Sequence, residues 1–147
     1  MKKLILLAAL ASLCGCASAE SWTLINRARA PSGIPGEWNT LEVDTSSIQM
    51  RDGYRQGWWR RSFFPVIRDP INKEIDMGSV ASLGIFDCRN ETQGVLSYGY
   101  FPRAYGEGST TRSGNLERAK ELKDMSPNMP GTFGEVVLRY VCAYPLK

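Results

Sequence analysis

Trp58, Trp59, Arg60 and Arg61 are the residues of this sequence best suited to recognition chemistry. Indole rings offer large, rigid contact area. Guanidinium groups stack on them and pair with carboxylates, so Trp and Arg are enriched at binding hot spots. The competing reading is that one tryptophan is core and the arginine stems cover its edge. Tyr100 and Tyr105, with Arg103 between them, carry the same two readings.

Catalytic chemistry is thinly supplied. The chain has no histidine, which removes the commonest general base and the commonest metal ligand. Asp44 and Asp87 form the one carboxylate pair to weigh for glycoside chemistry. Each reads more simply as a local feature, a turn cap and a strand-end acid. There is no Asp-x-Asp-x-Asp calcium loop. Gly106-Glu107-Gly108 lacks the following helix start that a phosphate cradle needs. Asn90-Glu91-Thr92 has the Asn-x-Thr glycosylation spacing, a short pattern of low specificity. The expectation is a protein that is not an enzyme, with no cofactor and no metal.

The N-terminus reads as an export signal. Lys2 and Lys3 precede an apolar run from Leu4 to Leu13, too short to span a bilayer and of signal-peptide length. Two processing patterns overlap. Ala17-Ser18-Ala19 fits cleavage before Glu20, which makes residues 1–19 the signal. Leu13-Cys14-Gly15-Cys16 resembles a lipobox, which makes residues 1–15 the signal and Cys16 the lipidated first residue. Either way residues 20–147 form one exported domain. Losing Lys2 and Lys3 from the 18 basic residues leaves 16 against 15 acids, a net charge of +1. So balanced a domain has no electrostatic case for nucleic acid.

With the export segment set aside, Cys88 and Cys142 are the remaining thiols. An even pair in an oxidising compartment reads as a disulfide, the alternative being two free buried thiols.

These residues need elements to position them. Glu20 to Ala30 alternates around Trp22 and Leu24, a first strand. Pro31 to Gly36, with two prolines and two glycines, is a loop. Trp38 to Val43 alternates again, with Trp38, Thr40 and Glu42 on one side and Leu41 and Val43 on the other. Asp44 caps a short helical turn that carries Ile48. Arg51-Asp52-Gly53 is a tight hairpin turn. Tyr54 to Phe64 has large aromatics on both faces, so it belongs in the middle of a sheet. Pro65 to Met77 reads as a polar loop, Val80 to Cys88 as a strand, Asn90 to Gly94 as a turn and Val95 to Phe101 as the return strand, with Leu96, Tyr98 and Tyr100 on one face. Tyr105 to Gly114 reads as an exposed loop. Asn115 to Met125 has helical spacing at Leu116, Ala119 and Leu122, with an edge strand as competitor. Ser126 to Gly131 is a rigid linker. Thr132 and Glu135 form a capping box, and Val136, Val137, Tyr140 and Val141 make the apolar stripe of a last helix.

The order of these landmarks resembles a known family. Leu41-Glu42-Val43-Asp44-Thr45-Ser46-Ser47-Ile48 leads to the turn at Arg51-Asp52-Gly53. A Trp-bearing strand follows, then a strand ending in Asp87-Cys88, then Val136-Val137-Leu138-Arg139-Tyr140-Val141-Cys142. The succession is similar to the bacterial surface-adhesin protein E-like family over about residues 20–144. The resemblance implies an α+β fold: an antiparallel sheet of about six strands with a C-terminal helix tethered to it by a disulfide. It implies extended structure near 115–125, where the residues favour a helix. The family's named member is an outer-membrane lipoprotein that binds extracellular-matrix and serum proteins and can dimerise. The reading is therefore an exported, lipid-anchored envelope protein, adhesin-like toward extracellular protein ligands, as monomer or homodimer, at the outer membrane or cell surface, or otherwise periplasmic or secreted. Two competitors stand beside it: a structural or accessory envelope lipoprotein with no host ligand, and a small carboxylate hydrolase.

Overall fold

The computed structural model describes residues 21–29 and 36–146. The stretch read as an export signal, Cys16 and most of the 31–36 loop lie outside the described residues. In chain order the elements are strands β1 (Trp22–Arg29), β2 (Trp38–Asp44), β3 (Gln49–Arg51), β4 (Tyr54–Arg68), β5 (Asp76–Asp87), β6 (Thr92–Phe101) and β7 (Arg112–Asn115). Helix α1 (Arg118–Asp124), the two-residue strand β8 (Ser126–Pro127) and helix α2 (Phe133–Ala143) complete it. One antiparallel sheet runs β1-β2-β4-β5-β6-β7, with β3 added to β4 and β8 to β6. The expected six-strand sheet is the main path, and the two extra strands are short.

β4 is the central strand, as its two aromatic faces imply. It pairs with β2 and β3 on one side and with β5 on the other. Alternation sends Arg55, Gly57, Trp59, Arg61 and Phe63 toward α2 and their neighbours to the opposite face. The core lies under the helix: Leu41, Val43, Ile48 and Phe86 meet Val137, Leu138 and Val141, with Trp59 and Phe133 packed against them. The apolar stripe of α2 is shifted from the expected one. Leu138 is buried and Val136 only half-buried, because the helix rolls to set Val137, Leu138 and Val141 on the sheet.

Local chemistry explains the ends. Asp44 Oδ1 accepts from Ser46 N at 3.1 Å and caps the turn Thr45–Ser47. Asp52 and Gly53 both take positive φ, 53° and 86°, the geometry a two-residue hairpin needs. Thr132 Oγ1 accepts from Glu135 N at 3.4 Å, while Glu135 Oε2 accepts from Gly131 N at 2.7 Å, one residue earlier than in a standard capping box. The Cys88–Cys142 disulfide joins the end of β5 to the last turn of α2, with Cα atoms 5.5 Å apart. Arg55 adds a second tie: its guanidinium donates to the Val141 carbonyl at 2.6 Å and to the Tyr144 carbonyl, two acceptors at the negative end of the helix.

Four expectations need correction. Pro65 does not end the strand: β4 continues to Arg68, and β5 starts at Asp76. The β4–β5 register breaks between Ser62 and Ile67, and β2 has already ended opposite Phe64, so no ladder partner needs the missing N–H of Pro65. The β5–β6 turn is earlier than expected, and β6 begins at Thr92. The stretch read as the Tyr105 to Gly114 loop contains a short helical turn at Ala104–Gly106 and strand β7. Within Asn115–Met125 the helical reading is the one realised, as α1 confined to Arg118–Asp124, while the stretch read as the Ser126 to Gly131 linker opens with β8, paired with β6.

The 102–111 excursion folds back onto the sheet face opposite α2. Ser79 Oγ donates to the Arg103 carbonyl at 2.7 Å and accepts from Gly106 N at 2.9 Å, and Ser62 Oγ accepts from Tyr105 N at 2.9 Å. Gly78 permits this approach. A Cβ there would lie 2.2 Å from the Arg103 carbonyl carbon, which is backbone and cannot rotate away.

Candidate functional site

The four residues singled out for recognition do not form one patch. Trp59 and Arg61 face α2, while Trp58 and Arg60 face the other way, since consecutive strand residues alternate. Arg61 lies over the rings of Phe133 (4.2 Å) and Phe63 (4.9 Å). Its Nε is buried with no hydrogen-bond partner among the described residues, and burial pushes its guanidinium below its usual pKa. Trp59 packs against the core. These two residues act as structure.

On the opposite face Arg60 is the keystone of a larger arrangement. Its Nε pairs with Glu42 Oε2 at 2.7 Å, both side chains being nearly buried, and its Nη1 donates to the Tyr105 carbonyl at 2.7 Å. The guanidinium lies 4.1 Å from the Trp22 ring centroid and 5.5 Å from that of Tyr105. Tyr105 tilts against Phe64 (5.5 Å), Phe64 stacks on Trp38 (4.1 Å), and Arg27 covers Trp38 at 3.7 Å. Trp22, Arg60, Tyr105, Phe64, Trp38 and Arg27 thus form one continuous aromatic–cation ladder. It crosses β1, β2 and β4 and takes Tyr105 from the folded-back loop. Contacts of this kind hold large rings rigid, with little side-chain entropy left to lose on binding. Tyr105 is still 40% exposed and Leu24, beside the ladder on β1, 55% exposed.

Of this ladder, Arg60 belongs to the Trp58–Arg61 cluster and Tyr105 to the Tyr100–Tyr105 pair; the other four members lie outside both. Alternation shows that Trp38 and Arg60 each share a face with the residues two positions away on their own strands. It does not show that β1, β2 and β4 are adjacent, nor that a distant loop supplies Tyr105. Arg103, expected beside the tyrosines, instead points to Glu107 at 3.9 Å. Tyr100 belongs to a separate pair with Tyr98 on the helix face, under Arg112.

Arg60→Ala should destabilise the domain by about 2 kcal/mol, between the values for exposed and fully buried ion pairs, because it leaves Glu42 nearly buried and unpaired. Urea unfolding of the variant reads this directly. A loss no larger than that of an exposed surface pair would show that Arg60 is not the keystone.

The carboxylates considered for hydrolysis are occupied elsewhere. Asp44 is 5% exposed and accepts from Ser21 N, Ser46 N and Ser46 Oγ. Asp87 accepts from Arg89 N (3.0 Å) and Asn90 N (3.1 Å) through one oxygen and from the Asn90 amide (2.7 Å) through the other. The Asn90 bonds hold its pKa below the ordinary carboxylate range. Both acids sit in caps, on strands separated by β4, and make no catalytic pair.

A second surface feature lies at the β4–β5 hairpin tip. Val66 and Ile67 are exposed, and Ile71 is 79% exposed. The tip is built rather than loose: Asp69 Oδ1 accepts from Ile71 N (2.8 Å) and Asn72 N (3.0 Å), and Oδ2 faces Arg112 at 3.4 Å. These backbone bonds, that from Asn72 foremost, lower the Asp69 pKa, with Arg112 adding to them. A folded-state pKa below the unfolded value stabilises the fold above the unfolded pKa, and that contribution is lost as pH falls through the folded one. Asp69→Asn should therefore lower the melting temperature at neutral pH, and the gap to wild type should narrow as the medium becomes strongly acidic. A pH-independent gap would assign the effect to shape alone.

Fold and site together define a small disulfide-tied α+β domain, with one sheet face sealed by a helix and the other presenting an ordered aromatic ladder. The family description surface-adhesin protein E matches residues 22–143, and the chain belongs to that family. No curated protein and no solved structure matches the chain.

Proposed function

We propose that this protein is exported, cleaved before Cys16 and held by acyl chains on that residue in the outer membrane, where it binds extracellular protein ligands at the cell surface. The observation that carries the reading is membership of a surface-adhesin family across residues 22–143. The lipobox-like Leu13-Cys14-Gly15-Cys16 supports the anchor. The ligand surface is the ladder face, with exposed Tyr105 at its centre and Trp58 on the same side of β4. Trp, Tyr and Arg held rigid around a partly open ring are what a protein-binding hot spot is made of. Binding rather than catalysis is the activity, and the protein acts as monomer or homodimer, without nucleic acid.

The test combines topology with binding. Protease added to intact cells should degrade the domain, and purified protein should bind immobilised extracellular-matrix proteins. Tyr105→Ala should weaken that binding roughly tenfold while leaving the fold intact. Complete protection on intact cells would remove surface adhesion and leave a structural envelope lipoprotein. Cleavage before Glu20, read by mass spectrometry, would remove the anchor.

A further inference from the structure

The chain enters the domain at a rigid point. Ser21 N donates to Asp44 Oδ1 at 2.9 Å, and Thr45 N and Oγ1 donate to the Ser21 carbonyl at 2.9 and 3.1 Å. The chain is therefore fixed to the sheet from Ser21 onward. If Cys16 carries the anchor, Ala17, Ser18, Ala19 and Glu20 are all that separate it from Ser21. Five Cα steps reach at most about 18 Å, even fully extended.

The register shows which end of the domain this tether holds. Trp22 pairs with Asp44, and the next residue inward on β2, Val43, pairs with Trp59. From that level β4 runs on to Arg68, roughly 30 Å away at strand rise. Ser21 and the hairpin tip with Ile71 are thus at opposite ends. At the Ser21 end, Met50 (52% exposed) and Leu146 (37% exposed) flank a groove of about 700 Å³ that Ser21 and Tyr144 also line. Two exposed apolar side chains stand beside a tether too short to carry them far from the bilayer. At such effective concentration a weak contact suffices, and shallow burial of apolar surface is favourable.

We propose that this end of the domain rests on the membrane, with Met50 and Leu146 in the headgroup layer and the Ile71 tip outermost. The inference rests on the lipid-anchor reading above. It makes the short linker an orienting device, which holds the ladder face edge-on to the bilayer and open to a partner.

The test uses the full lipoprotein, its acyl chains on Cys16 first confirmed by intact mass. Met50→Cys, Leu146→Cys and Ile71→Cys variants each carry one environment-sensitive dye, since Cys88 and Cys142 are paired. They are placed in phosphatidylethanolamine–phosphatidylglycerol vesicles containing a shallow spin-label quencher. Quenching at positions 50 and 146 should be at least threefold that at 71. Equal quenching at all three in acylated protein overturns the orientation while leaving the anchor intact. A mature protein that starts at Glu20 without acyl chains removes the anchor reading and the orientation with it.

Discussion

Cys142→Ser should lower the stability of the domain by about 4 kcal/mol, the chain-entropy value for the 54-residue loop that the disulfide closes. In the oxidised protein the crosslink restricts the unfolded chain. It also fixes the last turn of α2 to the end of β5, beside the Arg55 bonds to the helix carbonyls. Without it, the helix retains Val137, Leu138 and Val141 on the sheet, and the variant should still fold. Thermal unfolding should shift down by roughly 15 °C for a domain of this size. Wild type measured in reductant should fall to the same temperature as the variant. Equal melting temperatures with and without reductant would mean that the crosslink does not constrain the unfolded chain.

The second large effect is expected at Phe86. Its side chain is fully buried under α2, among Leu41, Val43 and Val141. Its ring occupies the space that a side chain at Gly84 would need: a Cβ there would sit 2.3 Å from the Phe86 Cζ. Phe86→Ala removes the ring and leaves a cavity that flanking strands cannot collapse to fill, at a cost of about 4 kcal/mol. Gly84→Ala is the complementary experiment. It forces the ring aside and should cost about 2 kcal/mol as overpacking. Denaturant midpoints should fall in both variants with an unchanged slope. A Phe86→Ala midpoint close to wild type would show that the ring does not anchor the helix to the sheet.

Much of the scaffold is legible in the sequence alone. The strand at Trp38, the Asp44 cap, the Asp52-Gly53 turn and the Thr132 cap all follow from interactions within a few residues, and each is present. The limits of β4 and β5 were not legible. Proline at 65 denies a ladder bond, but only the register break around it shows that no bond was needed there. β7 was hidden for a related reason. Arg112 to Asn115 has no strand-like alternation of its own, and it is extended because β6 offers a free edge.

The candidate site divides along the same line. By itself, the sequence determined the chemistry available: no histidine, four cysteines of which only Cys88 and Cys142 lie beyond the N-terminal apolar stretch, and tryptophans and arginines clustered near the middle strand. It also determined the face each residue takes within its own strand, because that depends only on a period of two. The tertiary structure decided which faces meet. It turned Trp59 and Arg61 under the helix, separated Asp44 from Asp87, and joined Trp22, Arg60, Tyr105, Phe64, Trp38 and Arg27 into one ladder. The physical reason is range. Caps, turns and alternation are set by bonds between near neighbours, whereas strand order and the fold-back of Tyr105 depend on burying surfaces that lie tens of residues apart.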